Sequence, residues 1–131
     1  MTSMKPFLMF QGGKGRAALD FYVATIPHSR IDSMALFGAE GLGVEGTILR
    51  AYATIAGQSV MAHDSFITHG FDFTPSFSFF IECDSEAEFD RLFAALGEGG
   101  QVLMPPANYG WSPKFGWLSD RFGVSWQLNL A

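Results

Sequence analysis

Three side chains in the first half of the sequence could together perform acid–base chemistry on an anionic substrate: Arg50, Tyr52 and His63. An arginine pairs well with a carboxylate or a phosphonate. A tyrosine can donate a proton, and a histidine can accept one near neutral pH. The set predicts either a binding site for a small anion or an enzyme in which the three act as anion clamp, proton donor and base on a carbonyl or phosphonate substrate. A surface salt bridge of Arg50 is the alternative to both.

Two other segments suggest chemistry that their spacing does not support. The glycine-rich residues 12–15 (GGKG) lie between a strand and a helix, where backbone amides attract anions. They match neither the Walker pattern nor GxGxxG, so a tight turn is predicted. His63, Asp64 and His69 suggest a metal site, but neighbouring residues of a strand point to opposite faces. No metal ligands are predicted there.

The single cysteine, Cys83, lies at the end of a predicted strand just before a helix. It could act as a nucleophile with His63 or His69, but a small buried filler is the expected role at such a position. The sequence also has no GxSxG elbow for a serine nucleophile.

Composition excludes several classes of protein. At 131 residues with 48% hydrophobic content, the chain is predicted to form one domain over 1–131. The net charge is −5 and the eight Lys and Arg residues form no stripe, so no nucleic-acid partner is expected. One cysteine allows no internal disulfide, and no apolar stretch approaches the roughly 20 residues that cross a bilayer. A cytoplasmic protein without a membrane partner is predicted.

The two halves of the chain show the same order of elements, which predicts an internal repeat over residues 5–64 and 73–131. Each half contains a strand, a helix and three more strands, judged from hydrophobic periodicity and turn residues. The first half has strands at 6–11, 30–37, 47–55 and 59–63 and a helix at 16–24. The second half has strands at 76–82, 101–104, 115–120 and 124–130 and a helix that opens at 84–88. An α+β fold is therefore predicted, in which two βαβββ modules bury both helices and curl around a cavity.

Strand alternation predicts which side chains face this cavity, because successive residues of a strand point to opposite faces. The polar set is expected to face the cavity and to bind a small organic ligand, although such a face can also simply contact water. The residues predicted to be buried include Leu49, Ala51, Ala53, Ile55, Val60, Ala62, Phe77, Phe79, Ile81, Val124, Trp126, Leu128 and Leu130. The predicted ligand-binding residues are Arg50, Tyr52, Met61, His63, Ser78, Phe80, Trp117, Gln127 and Asn129.

Three segments resemble motifs of one known family. Residues 116–127 (GWLSDRFGVSWQ) are similar to the closing motif of PhnB-like proteins, a branch of the vicinal-oxygen-chelate superfamily of glyoxalases and bleomycin-resistance proteins. Residues 17–22 (AALDFY) and 56–64 (AGQSVMAHD) resemble a helix and a hairpin of that branch. The resemblance implies curled mixed sheets around a cavity and a homodimer. The GGKG turn and His63 depart from the family pattern.

The resemblance also implies where a metal would lie. Catalytic members of the superfamily hold a divalent metal with His and Glu, at positions that correspond here to Phe7, Met61, Ser78 and Gln127. Phenylalanine has no donor atom, a thioether binds hard cations poorly, and neutral Ser and Gln bind them weakly. A shift of the register by two residues recovers only His63. The resemblance therefore implies a protein without the metal ligands of its catalytic relatives.

Relatives of this branch often carry the label 3-demethylubiquinone methyltransferase, which would imply a site for S-adenosylmethionine. A nucleotide-binding α/β domain needs alternating parallel strands and helices with a glycine-rich first loop, and neither is predicted here. The expected function is that of a metal-free protein without a cofactor, which sequesters or senses a small organic ligand. The alternatives are the Arg50, Tyr52 and His63 enzyme and a metal enzyme with ligands elsewhere.

Overall fold

The order βαβββ occurs twice along the chain, in two units of a computed structural model that describes all residues from Met1 to Ala131. The first unit, Met1–Asp72, contains β1 (Phe7–Phe10), α1 (Gly15–Thr25), β2 (Arg30–Leu36), β3 (Ile48–Ile55) and β4 (Gln58–Asp64). The second unit, Phe73–Ala131, contains β5 (Ser78–Glu82), α2 (Glu86–Gly97), β6 (Gln101–Ala107), β7 (Lys114–Ser119) and β8 (Ser125–Leu130). The predicted α+β fold class is confirmed, and the elements lie within a few residues of their predicted bounds. The extent of a single domain stays a prediction.

Each unit has one four-stranded mixed sheet. The strand order is β1-β4-β3-β2 in the first unit and β5-β8-β7-β6 in the second. The outer pairs β1·β4 and β5·β8 are parallel, and the other pairs are antiparallel. Because the middle strands are consecutive in sequence, short turns can join them, whereas each parallel pair needs a long connection.

The β3–β4 hairpin fixes the register on which the site depends. Ala56 and Gly57 form its turn with positive φ angles of 50° and 81°, as the two-residue hairpin turns with matching twist require. The Ala56 amide donates to the Ser29 hydroxyl at 2.9 Å, which supports this backbone at a residue other than glycine. The resulting register sets Tyr52 directly opposite Met61.

The helix α1 covers one face of the first sheet, where its buried side chains include Ala18, Leu19 and Tyr22. The strands contribute Ala51 and Ala53 from β3 and Val60 and Ala62 from β4, and the predicted burial of these four residues is confirmed. Full burial of a single large apolar side chain is worth about 1.5–3 kcal/mol, so this layer provides much of the stability of the unit.

Leu49 departs from the alternation in β3, and its predicted burial is wrong. It is 44% exposed, whereas Ile48 is fully buried in its place. The pairing of β2 with β3 jumps from Ala35–Arg50 to Leu36–Ile48, which makes Leu49 the extra residue of a β-bulge. One inserted residue reverses the inward and outward sense of the strand beyond it. Leu49 therefore shares the solvent side with Arg50.

In the second unit α2 begins within the predicted segment 84–88, and the structure identifies Ser85 as its N-cap. The Ser85 hydroxyl accepts from the Glu88 amide at 3.1 Å, and the Glu88 carboxylate accepts from the Asp84 amide at 3.1 Å. This reciprocal arrangement satisfies two backbone donors that a helix start otherwise leaves free. The helix packs Phe89, Leu92 and Leu96 into the core.

The predicted burial of Phe77 is wrong, since this side chain is 61% exposed. The strand starts one residue later, at Ser78, and the Phe77 amide instead donates to the Thr74 carbonyl in a turn. Period-two alternation does not extend into a turn. The predicted burial is confirmed for Ile81, Trp126 and Leu128 within the strands and for Val124 just before β8, whereas Phe79 and Leu130, also predicted to be buried, are only half-buried.

Neither α1 nor α2 is long and apolar enough to span a bilayer.

Candidate functional site

The first sheet presents Arg50, Tyr52, Met61 and His63 on the side opposite α1, and we call this surface the Arg50 face. Tyr52 and Met61 are paired across β3 and β4, and directly paired residues share a face. His63 lies two residues after Met61, and Arg50 two residues before Tyr52, so the period of two keeps all four on this side. The structure thus brings together the first-unit residues predicted for the site.

A groove of about 340 Å³ lies on this face between β2 and β3. Its lining consists of Ser33, Met34, Ala35, Leu49, Arg50 and Tyr52. Sequence reasoning missed the β2 residues, because only the cross-strand pairing shows that Ser33 and Ala35 lie opposite Tyr52 and Arg50. It also missed Leu49, which reaches the groove through the bulge.

The Arg50 guanidinium is exposed and makes no ion pair or hydrogen bond within the chain, which contradicts the alternative of a surface salt bridge. The nearest acid along β2, Asp32, is engaged elsewhere. Its carboxylate accepts from the Thr54 hydroxyl at 2.8 Å and from Arg30 Nε at 2.7 Å, and these two contacts lower the pKa of Asp32. The charge of Arg50 therefore remains available to a ligand.

His63 is held in one orientation by the backbone of the bulge. Its Nδ1 lies 2.7 Å from the carbonyl oxygen of Leu49, which can only accept, so Nδ1 carries the proton. In the neutral ring Nε2 is then the acceptor. The rings of Phe7 and Phe37 flank the imidazole, with centroids 6.2 and 6.1 Å away. This tautomer suits a base that acts through Nε2.

Asp64, next in sequence, has a structural role that sequence reasoning missed. Its side chain is 2% exposed and accepts two backbone hydrogen bonds of 2.8 Å, from Gly15 at the start of α1 and from Ile48 at the bulge. A carboxylate at a helix N-terminus also interacts favourably with the helix dipole. Asp64 therefore ties α1 to the backbone that carries Leu49 and Arg50.

The metal set suggested by His63, Asp64 and His69 does not form. Asp64 points into the core, whereas His63 lies on the Arg50 face. His69 Nε2 lies 3.0 Å from the Ser65 hydroxyl and the ring stacks on Phe71, within the loop after β4. The three side chains thus have three separate environments.

The glycine-rich segment before α1 is the tight turn that was predicted. Gly12 and Gly13 have φ angles of 71° and 72°, a conformation that glycine adopts without strain. The Asp64 carboxylate already occupies the Gly15 amide, so this helix start does not offer the free amides of a phosphate loop.

In the second unit, the side opposite α2 carries Ser78, Phe80, Trp117, Gln127 and Asn129, and we call it the Trp117 face. Gln127 pairs with Phe80 on one side and with Trp117 on the other, which places all three on one surface. The structure brings together the five residues predicted for this half.

Ser125, which sequence reasoning left out of the site, organises one end of the Trp117 face. Its hydroxyl accepts from Trp117 Nε1 at 2.9 Å and lies 2.6 Å from the Ser78 hydroxyl. Ser125 is 1% exposed, so these contacts are shielded from water and fix the indole plane. In the sequence, only its alternation with Gln127 and Asn129 in the last strand indicated that Ser125 belongs to this face.

Asn129, at the other end of that face, connects β5 with the loop between β6 and β7 through two side-chain hydrogen bonds. Its Nδ2 donates to Glu82 Oε2 at 3.1 Å, and its Oδ1 accepts from the Ser112 hydroxyl. Through Ser112 it anchors the loop between β6 and β7. This loop carries Tyr109 and Trp111, two aromatic residues that no periodic pattern singled out.

Cys83 is buried, as predicted for a filler. Burial, followed by the charges of Glu88, Glu82 and Asp84, raises the pKa of its thiol to about 11. A thiol with a raised pKa is a poor nucleophile near neutral pH, because the thiolate is the reactive form.

The residues at the metal positions of the superfamily do not fit a divalent metal. Phe7 and Met61 form a direct pair on β1 and β4, and neither offers an oxygen or nitrogen donor. Ser78 is engaged with Ser125, and Gln127 is a neutral amide. No group of three or more His, Cys, Asp or Glu side chains is placed to hold a metal ion.

S-adenosylmethionine does not fit the observed arrangement either. Nucleotide-binding α/β domains bind at the carboxyl ends of adjacent parallel strands. Each sheet here has one parallel pair, and the helix start after β1 is closed by Asp64.

Comparisons with known proteins agree with this fold. The family model for 3-demethylubiquinone-9 3-methyltransferase matches residues 2–129. The solved structure of a putative 3-demethylubiquinone-9 3-methyltransferase, PhnB protein, from Bacillus cereus is similar at 43% identity over 99% of this chain and 100% of that one, with a TM-score of 0.94. A glyoxylase/bleomycin resistance protein/dioxygenase domain from Frankia, at 13% identity over 100% of this chain and 93% of that one, has a TM-score of 0.63 and shows the shared fold.

Among curated proteins, Protein YjdN of Escherichia coli is 28% identical over 84 residues, which are 64% of this chain. The chain spans 56% of the length of that relative. The motifs at residues 17–22, 56–64 and 116–127, the fold and the family match all indicate the same family. The chain belongs to the PhnB-like family described as 3-demethylubiquinone-9 3-methyltransferase.

Proposed function

We propose that the chain binds a small organic anion, a carboxylate or a phosphonate, in the groove at Arg50, and that it sequesters or senses this ligand without a metal or cofactor. The observation that carries the proposal is an arginine without any partner in the chain, at the edge of a partly apolar groove. Binding through Arg50 needs no metal, in keeping with the poor donors at Phe7 and Met61.

The chemistry of the groove supports an anionic ligand. A guanidinium can hold a carboxylate or phosphonate through two parallel hydrogen bonds. The Tyr52 hydroxyl makes no hydrogen bond within the chain and can donate a further one. Leu49 and Ala35 supply apolar walls for the organic part. A volume of about 340 Å³ lies at the lower end of the usual range for small-molecule sites.

The sequence also predicts ligand-binding residues on the Trp117 face of the second unit, and that role stays a prediction. Phe80, Trp117 and Gln127 have side-chain surface free for a ligand. Ser78 and Asn129 spend polar atoms inside the chain, so we assign them mainly to holding their neighbours. Met61, next to Tyr52, is assigned to the apolar wall.

The test is thermal stabilisation by phenylphosphonate and benzoate, with neutral benzamide as the control ligand, since a ligand that binds only the folded state raises the melting temperature. Stabilisation is expected for the two anions and is expected to disappear in Arg50→Ala. Arg91→Ala, which removes an exposed arginine of α2, is the matched control and should respond like the unmodified protein. Equal responses of Arg50→Ala and the unmodified protein to both anions would refute the proposal.

A second candidate function is an enzyme, and the fixed tautomer of His63 favours it. With Nε2 as the acceptor, His63 can serve as base, Tyr52 as proton donor and Arg50 as clamp on a carbonyl or phosphonate substrate. Turnover should be lost in His63→Ala at unchanged melting temperature. If anions stabilise the protein but no carbonyl or phosphonate compound is converted, the binding function stands alone.

A homodimer, a cytoplasmic location and the lack of nucleic-acid and membrane partners stay predictions. The first unit exposes apolar side chains that a second copy could cover, among them Leu42, Val44, Phe66, Ile67 and Phe71. Light scattering on purified protein tests the dimer, and a monomer at micromolar concentration would contradict it.

A further inference from the structure

An aromatic cluster occupies one end of the Trp117 face. Phe115 lies at its centre, and its ring centroid is 5.2 Å from Trp111, 6.1 Å from Tyr109 and 6.2 Å from Phe80. Tyr109 and Trp111 also stack on each other at 5.7 Å. Phe115 is only 4% exposed, but Trp111 and Phe80 are 61% and 52% exposed. The cluster therefore presents ring surface to solvent from a fixed base.

One carboxylate lies beside this cluster. The four strands of the second unit contain two charged residues, Glu82 and Lys114. Lys114 points to the other side of the sheet, where Nζ pairs with Asp90 of α2 at 2.6 Å. On the Trp117 face, Glu82 and Phe115 both pair with Asn129, one from each side. Glu82 is thus the only charge that the strands contribute to this face.

The Glu82 carboxylate is held in place but not neutralised. Asn129 donates to Oε2, and no hydrogen bond or ion pair within the chain uses Oε1. Phe80 lies two residues earlier on the same strand, so its ring shares the face with this free oxygen. A negative charge on the same side of the sheet as exposed aromatic rings is an arrangement that attracts an organic cation.

We propose that Phe80, Tyr109, Trp111 and Phe115 together with Glu82 form a binding site for an organic ammonium ion. The rings supply cation–π attraction and an apolar surface for the methyl or methylene groups, and Glu82 supplies the counter-charge. A neutral aromatic ligand would use the same rings by stacking but would gain nothing from Glu82. The charge of the site therefore selects the cation.

The ammonium site does not depend on the anion groove at Arg50. It lies on elements of the second unit alone, whereas Arg50 belongs to the first unit. The two proposals can therefore fail independently, and Arg50→Ala is expected to leave ammonium binding unchanged.

The experiment compares choline with 3,3-dimethylbutan-1-ol, a neutral molecule of the same shape, by titration followed through tryptophan fluorescence and calorimetry. Choline is expected to bind about 10-fold more tightly, within the roughly 2- to 30-fold range that one cation–π contact allows. Glu82→Gln should reduce choline affinity by about 2- to 5-fold and leave the neutral molecule unaffected. Glu98→Gln, at the exposed end of α2, is the matched control and should change neither affinity.

Trp111→Ala removes the most exposed ring and should abolish choline binding without loss of folded structure, since this side chain is mostly in solvent. Trp111→Phe should restore part of the affinity. Equal affinity for the two molecules, unchanged choline affinity in Glu82→Gln, or no measurable binding of choline would each overturn the proposal.

Discussion

Asp64 offers the sharpest test of how the fold holds the Arg50 face. Replacement by Asn keeps the shape of the side chain but removes its charge and one of its two acceptor oxygens. The amide group that takes the place of that oxygen is a donor and faces either the Gly15 or the Ile48 amide, which is also a donor. One buried N–H is thereby left without a partner.

The expected loss can be worked out from these contacts. A hydrogen bond to a charged group contributes about 1.5–3 kcal/mol, and an unpaired buried group costs about 1–3 kcal/mol. The lost charge at the start of α1 adds about 0.3–1 kcal/mol. The contribution of the lost hydrogen bond and the cost of the unpaired N–H partly describe the same loss, so they are not added in full. We therefore expect Asp64→Asn to lower the free energy of unfolding by about 2–4 kcal/mol. For a chain of this size that corresponds to roughly 8–16 °C in melting temperature.

Urea unfolding followed by far-ultraviolet circular dichroism is the suitable assay. All three tryptophans, Trp111, Trp117 and Trp126, belong to the second unit, so their fluorescence does not report directly on the first. Asp20→Asn is the matched control, because Asp20 forms an exposed ion pair with Arg16 at 3.2 Å, of a kind worth at most about 1 kcal/mol. A difference of less than about 0.5 kcal/mol between the two variants would show that the two buried hydrogen bonds of Asp64 do not stabilise the fold as argued.

Two further outcomes are expected. Gly116→Ala should destabilise the protein by about 1–3 kcal/mol, because a Cβ there would collide with the Phe93 ring. Gly97→Ala should be neutral or stabilising, because its Cβ would make an ordinary contact with Leu118 at 3.7 Å. Thermal melts that rank the two variants the other way would contradict this packing. Alkylation of Cys83 by iodoacetamide should be slow at pH 8 and should accelerate as the pH approaches about 11, because the folded state raises the pKa of the thiol. In urea the rate should instead rise around the ordinary thiol pKa of 9.0. Equal alkylation rates of the folded and unfolded protein at pH 8 would show that the thiol is not protected.

The order and bounds of the elements were predictable from the sequence because they depend on local patterns. Hydrophobic periodicity locates α1 and α2, the Ser85 cap lies at the start of the second helix, and the turn at Gly57 separates two alternating runs. The grouping of predicted site residues on one side of each sheet follows from the same period of two.

The features that the sequence did not predict depend on contacts between distant residues. The bulge at Leu49 is held by a bond from Ile48 to Asp64, 16 positions away, and no local pattern shows it. The β2 side of the groove depends on strand pairing. The aromatic cluster depends on a loop without periodicity, which Ser112 and Asn129 fasten to the sheet.

The parallel pairing of β1 with β4 has a consequence for how the chain acquires its structure during synthesis. Phe7 pairs with Met61, so β1 meets its neighbour only after 54 more residues have been added. At about 5–20 residues per second, this apolar segment waits several seconds or longer in an unpaired state. The hairpin of β3 and β4 has a two-residue turn and can close within microseconds once both strands are available. Docking of the first strand is thus a late step, and during the delay Leu8 and Phe10 are open to chaperones or to neighbouring chains.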